Sequence, residues 1–214
     1  MTRAVFLLLV LAATALAYKR NNRHCRRNIN AIDFTVNNAY CEQPLFVTFV
    51  QRTEENLVLD NVCYTYFPLP DDPETFQVYE AKVYCDGSLE IASFIGTVFE
   101  RGVSKYGSPY CTYTDTVFGY AGCDTYLVYR CFEYGDCDGV DHQLIFGVSS
   151  SCTTIGLSCL RKVEEIVDEN KIKNHEYIVL PMKLPNKCVT QQLCLTPENP
   201  FFNHMPGHRS RHEL

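Results

Sequence analysis

Twelve cysteines behind an apolar N-terminal segment constrain this 214-residue chain more than any other feature. Residues 1–17 begin Met1-Thr2-Arg3, run through an apolar stretch from Ala4 to Ala13 and end Ala15-Leu16-Ala17. A basic start, a hydrophobic centre and a small-x-small end form the layout of a secretory signal, with cleavage expected after Ala17. Export places the cysteines in an oxidising compartment, where an even number reads as a disulfide framework. All twelve (Cys25, Cys41, Cys63, Cys85, Cys111, Cys123, Cys131, Cys137, Cys152, Cys159, Cys188 and Cys194) are therefore expected in bridges. None falls in a C-x-x-C and no spacing suits a zinc site. Connectivity does not follow from spacing alone.

No later stretch approaches the ~20 apolar residues of a membrane span, so a secreted, extracellular protein with no transmembrane segment is expected. The chain carries 19 basic and 25 acidic side chains, and removing Arg3 with the signal leaves a net charge of −7. Five basic residues and no acid lie in the segment Tyr18–Arg27, so the remaining body is strongly acidic. That balance argues against nucleic acid as a partner. The expected organisation is a signal over 1–17, a basic leader over 18–27, one domain over 28–194 and a disordered tail over 195–214.

Short runs rich in Val, Tyr, Phe, Thr and Ile, separated by turn residues, point to β-structure. They are Leu45–Arg52, Asn61–Phe67, Phe76–Tyr84, Leu89–Phe99, Pro109–Thr114, Val117–Ala121, Thr125–Phe132 and His142–Ser149. Eight such runs predict an all-β, antiparallel up-and-down barrel or sandwich. Leu157, Leu160, Val163, Ile166 and Val167 then recur at helical spacing, opposite Arg161, Lys162, Glu165 and Asp168. This predicts one amphipathic helix over 157–170 whose stripe packs outside the sheet. A short strand over Tyr177–Leu180 follows.

No catalytic constellation is present: there is no G-x-S-x-G, H-E-x-x-H, Walker loop or G-x-G-x-x-G. The expectation is a non-enzyme with no cofactor and no metal. Asp136-x-Asp138-Gly139-x-Asp141 lacks the glycine and glutamate of a calcium loop and reads as a hairpin turn. His204, His208 and His212 fall in the expected tail. Arg211-His212-Glu213-Leu214 resembles the K-D-E-L class of retrieval signals, an alternative to simple secretion.

Eight antiparallel strands, a late helix and a C-terminus tied by cysteines resemble the lipocalin pattern. Gly122-Cys123-Asp124-Thr125-Tyr126-Leu127-Val128-Tyr129-Arg130-Cys131 is similar to the family's T-D-Y block at the turn between the sixth and seventh strands. Asn56–Asn61 resembles the loop after the first strand in plasma retinol-binding proteins. Cys131 and Cys137 before His142–Ser149 resemble their disulfide-closed hairpin. The family's G-x-W should fall near Gln43-Pro44-Leu45, yet the chain has no tryptophan. The arginine expected after the eighth strand falls near Ser150, and the Thr-Asp of the turn block is swapped to Asp124-Thr125. The resemblance leans toward apolipoprotein D-like and carotenoid-binding members.

The resemblance implies a carrier of a small, mostly hydrophobic ligand of the retinoid, carotenoid, steroid or pigment class. The implied ligand-binding residues are Leu57, Val58 and Leu59 at the entrance, Tyr79 and Ala81 on the third strand, Tyr126 and Val128 on the seventh, and Leu144 and Phe146 on the eighth. Arg130 shares the inward set and needs an acidic partner, a tyrosine or a polar ligand if buried. The expected alternative places it near the open base, reaching water by its stem. By resemblance, Cys63 pairs with Cys188 or Cys194, Cys131 with Cys137, and Cys25 or Cys41 staples the leader to the barrel or helix. Cys159 is expected to reach Cys123 or Cys25, with a local bridge to Cys152 as the alternative. A different function class also fits: a closed barrel that binds or inhibits a protein through its loops, chiefly Glu100–Ser108, and the basic leader.

Overall fold

The computed structural model describes residues 25, 28–34, 44–69, 72–109, 111–135, 143–173 and 176–188. The signal segment, most of the basic leader, the Asp136–Asp141 loop, the C-terminal tail and Cys41, Cys137 and Cys194 lie outside the described residues. Eight strands follow in antiparallel order: β1 (Leu45–Gln51), β2 (Leu59–Leu69), β3 (Asp72–Tyr84), β4 (Leu89–Glu100), β5 (Val103–Gly107), β6 (Cys111–Gly122), β7 (Thr125–Gly135) and β8 (Gln143–Ser149). Each pairs with the next, and β1 pairs with both β8 and β2, closing a barrel. A helix, α1 (Leu157–Glu169), lies outside, and β9 (Tyr177–Val179) adds to the free part of β1. No described helix is long and apolar enough to cross a membrane.

The strand count matches the expectation, but two strands differ. The expected runs Pro109–Thr114, from Cys111 onward, and Val117–Ala121 belong to one twelve-residue strand, β6, and the expected loop Glu100–Ser108 contains β5. The polar run Thr114-Asp115-Thr116 reads as a break in sequence. In the fold it continues a strict alternation in which Cys111, Tyr113, Asp115 and Val117 are buried while the intervening threonines are half-buried. The β6–β7 turn explains the swapped Asp124-Thr125. Cys123 and Asp124 both have positive φ, at 52° and 55°, as a two-residue hairpin of this hand requires. Asp124 then accepts hydrogen bonds from the Ser149 and Ser150 hydroxyls at 3.0 and 2.5 Å.

Apolar residues fall into two bodies. One fills the barrel; the other lies between the outer wall and α1, built from Phe49, Phe118, Leu127, Tyr129 and Ile145 against Cys159, Val163, Ile166 and Val167. The helix stripe is as expected except at its first residue: Leu157 is 78% exposed, because it precedes the point where α1 meets the wall. Contact further on is close enough that a methyl group on Gly119 would sit 2.6 Å from Ile166.

Three described disulfides pin outlying segments to the barrel: Cys25–Cys131, Cys63–Cys188 and Cys123–Cys159. The leader, the C-terminal segment and the helix are thus tied as expected, with Cys123 as the partner of Cys159. The Cys131–Cys137 expectation is corrected, since Cys131 bonds Cys25 on the outer face of β7. Cys111 is also disulfide-bonded, to a partner outside the described residues. Cys85 and Cys152 are free and exposed, against the expectation of twelve bridged cysteines. Their positions keep them from bonding each other. Cys85 turns the β3–β4 hairpin and donates its backbone N–H to Val58, at the end where β1 gives way to β2. Cys152 follows β8 at the opposite end of the barrel, so the two cannot meet.

The bridge to the helix closes a 36-residue separation, a size at which a disulfide contributes about 2–4 kcal/mol by restricting the unfolded chain. Cys159→Ala is expected to lower stability by about that amount and to free Cys123. Denaturant unfolding with thiol mapping checks this, and recovery of Cys152 as the newly altered partner would contradict the assignment.

Candidate ligand-binding site

Alternation sends one side-chain set from every strand into the barrel. At one end the loops joining β1 to β2, β3 to β4 and β5 to β6 surround a mouth. At the other, residues 32–34 cross the base. There Ile32 donates its N–H to the Val117 carbonyl at 2.8 Å, and Gly102 donates to the Phe34 carbonyl at 3.0 Å. Gly102 turns the β4–β5 hairpin with φ +74°, and any Cβ there would lie 2.2 Å from the Ile32 carbonyl oxygen. Phe34 enters the barrel and meets Tyr126 edge-on, with centroids 4.8 Å apart. A phenylalanine from the N-terminal segment thus closes the base of a barrel that has no tryptophan.

Arg130 projects from β7 into the middle of the interior and does not reach water; it is 5% exposed. The expectation that it lies near the open base is corrected. Its guanidinium forms a bidentate pair with Asp115, through Nε at 2.8 Å and Nη2 at 2.9 Å. Nη1 reaches Glu80 on the facing β3 at 3.4 Å. The same group lies 4.0 Å from the Tyr113 ring centroid, 4.9 Å from Phe146 and 5.4 Å from Tyr64. A buried cation demands such company: counter-charges, hydrogen bonds and ring faces together offset lost hydration. Lys82 lies 3.9 Å from Glu80. Burial pushes the Asp115 carboxyl above its ordinary value while the guanidinium opposes that rise. The Arg130 guanidinium is held well above its own ordinary value, chiefly by Asp115, against the desolvation of its site.

This cluster divides the interior. Toward the base is a chamber of about 150 Å³ lined by Phe34, Tyr66, Tyr106, Asp115, Val117 and Val128. Toward the mouth is a larger one of about 390 Å³, with Val50, Leu59, Val62, Phe94, Phe132 and Leu144 on its walls. Arg130, Glu80 and Tyr113 line the inner part of the larger chamber, and Tyr64 and Phe146 line both. Among the described residues no cluster of histidine, cysteine or carboxylate side chains could hold a metal ion.

The expected residues distribute as follows. Leu59, Leu144 and Phe146 line the larger chamber, and Val128 and Phe146 the smaller. Tyr126 faces inward against Phe34. Leu57 and Val58 form a one-turn 3-10 helix at the mouth and are 51% and 52% exposed. Tyr79 and Ala81 are corrected. Glu80 and Lys82 face the chamber, so the alternate residues point outward, Tyr79 against Phe67 and Ala81 beside Cys63. A one-residue shift in parity exchanges the two faces of a strand. Sequence reasoning also missed Asp115, Glu80, Tyr113 and Phe34. The alternation Cys111-x-Tyr113-x-Asp115-x-Val117 carried the signal for two of them.

Two outcomes follow. Arg130→Leu leaves Asp115 and Glu80 buried without their cation and is expected to cost about 3–5 kcal/mol, much of it restored when Asp115→Leu is added. A double-mutant cycle in denaturant checks this. Burial also pushes the Tyr64, Tyr66, Tyr106 and Tyr113 hydroxyls above their ordinary value. In the unfolded chain these groups ionise near pH 10, about the ordinary tyrosine value. In the fold they keep their protons beyond it, so stability is intact below that pH and falls as the pH climbs. Ultraviolet titration should show these four of the 14 tyrosines ionising only with unfolding; ionisation of all 14 near pH 10 in a folded barrel would refute this.

No family model matches the sequence, and no curated protein does. Among solved structures, insecticyanin from the tobacco hornworm Manduca sexta aligns over 73% of this chain and 85% of its own, at 13% identity and a TM-score of 0.53. The cockroach allergen Per a 4 aligns over 69% of this chain and 88% of its own, at 10% identity and a TM-score of 0.50. At these identities the likeness is one of fold. Closed eight-stranded barrel, external helix and cavity together give the chain a lipocalin-like fold, built without a tryptophan.

Proposed function

We propose that the protein is a secreted carrier that holds one small, mostly hydrophobic molecule in the larger chamber. The observation that carries this reading is the chamber itself. At about 390 Å³, open at one end and walled mainly by aliphatic and aromatic side chains, it falls within the range of small-molecule pockets. Its size favours a compact retinoid, steroid or pigment over a long carotenoid. Export agrees with three described disulfides, which persist in oxidising compartments, and with the signal over residues 1–17. One domain over 28–194, with the leader stapled to it through Cys25, completes the proposed organisation.

The protein-binding alternative loses support at one of its two features, the other being the basic leader, which lies mostly outside the described residues. Glu100–Ser108 is built into the β4–β5 hairpin rather than presented as a free loop. Ala92 on β4 lines the chamber and is half-buried, so Ala92→Phe is expected to fill it. Binding of the fluorescent probe N-phenyl-1-naphthylamine should fall at least about tenfold in that variant, with the barrel still folded by circular dichroism. Native mass spectrometry of the gently purified protein should show an added small molecule. A protein that arrives empty and binds no apolar probe would overturn the carrier reading.

A further inference from the structure

We propose that the larger chamber selects a mostly apolar molecule bearing a neutral oxygen, a hydroxyl or carbonyl, at the end that lies innermost against Tyr113 and Arg130. The inference rests on the carrier reading and specifies its ligand. Five buried side-chain atoms have no hydrogen-bond partner among the described residues, on Thr48, Gln51, Gln77, Tyr113 and Tyr177. Of these side chains, Tyr113 alone lines either chamber. A buried hydroxyl without a partner is costly, and a ligand atom can supply the missing bond. Beside it, the bonds to Asp115 and Glu80 use three of the five N–H groups of Arg130. One N–H on each terminal nitrogen remains to donate. The innermost wall therefore offers donors to an oxygen acceptor.

The charges decide against an ionised head. Arg130 and Lys82 face Asp115 and Glu80, and these four balance. A fifth charge brought to the same depth would lose its hydration with no counter-ion. An ammonium finds no free aromatic cage, because Arg130 already lies over the faces of Tyr64, Tyr113 and Phe146. A carboxylate must also pass Glu55 and Glu90, two exposed carboxylates that line the mouth. A neutral hydroxyl or carbonyl meets neither obstacle.

The test is displacement of N-phenyl-1-naphthylamine from the full-length mature protein by four ten-carbon compounds: 1-decanol, 2-decanone, decanoate and decylamine. 1-Decanol and 2-decanone are expected to bind about tenfold more tightly than the two charged compounds. Tyr113→Phe keeps the ring and removes a hydroxyl that has no partner, so the fold should survive. In that variant the affinity for 1-decanol and 2-decanone, taken relative to that for the probe, should drop about tenfold. Decanoate or decylamine binding as tightly as 1-decanol, or a Tyr113→Phe variant that binds 1-decanol as well as the parent, would overturn the proposal. Equal binding of all four compounds defeats this inference alone, whereas failure to bind the probe and every compound defeats the carrier reading beneath it.

Discussion

A single guanidinium in the middle of the barrel sets the terms for everything around it. Arg130 cannot be left alone in an apolar interior, so four strands supply its surroundings: Asp115 from β6, Glu80 from β3 and ring faces from β2, β6 and β8. Asp115 and Arg130 are direct cross-strand partners in the β6–β7 register. A one-residue slip would turn Asp115 outward and strand the cation, so the pair specifies register as well as occupying space. The contact to Glu80 spans to the β3 wall. The cluster turns one calyx into two unequal chambers and gives the larger a polar inner face.

Much of the fold was legible because strands and helix announce themselves by period. Alternation gives β7 and β8 two faces and the family resemblance picks the inward one, while the stripe of α1 puts Cys159 against the wall. The failures share one cause. A polar residue inside a strand reads as a turn when its partner is remote in sequence. Asp115 broke the run that became β6, and the same misreading hid the counter-ion of Arg130, fifteen positions away. On β3 the parity was misjudged because Tyr79 and Ala81 look like lining residues while Glu80 and Lys82 look like surface. Only the closed barrel, with Arg130 opposite, makes the charged pair the inner one.

The base shows how a missing residue is replaced from elsewhere in the chain. Without a tryptophan on the first strand, the apolar plug comes from Phe34, ahead of β1, held by backbone bonds to Gly102 and Val117. The hold is reinforced at Cys25, whose bridge to Cys131 fixes the segment that leads to it. Closing the base in this way needs Gly102, since both its φ and the carbonyl against it exclude a side chain. The swapped Asp124-Thr125 belongs to the same end of the barrel, where Asp124 gathers the hydroxyls of Ser149, which ends β8, and Ser150, which follows it.

The two outermost bridges also decide how the molecule bears tension. A force drawing Cys25 away from Cys188 has two short covalent routes to follow. One runs along residues 25–63 to the Cys63–Cys188 bridge; the other crosses to Cys131, passes through the helix bridge and follows residues 159–188. The first route carries β1, so the seam where β1 closes the barrel against β2 and β8 bears load. Both routes are short beside the full chain, so while the bridges are intact the molecule can lengthen only as far as the shorter one allows.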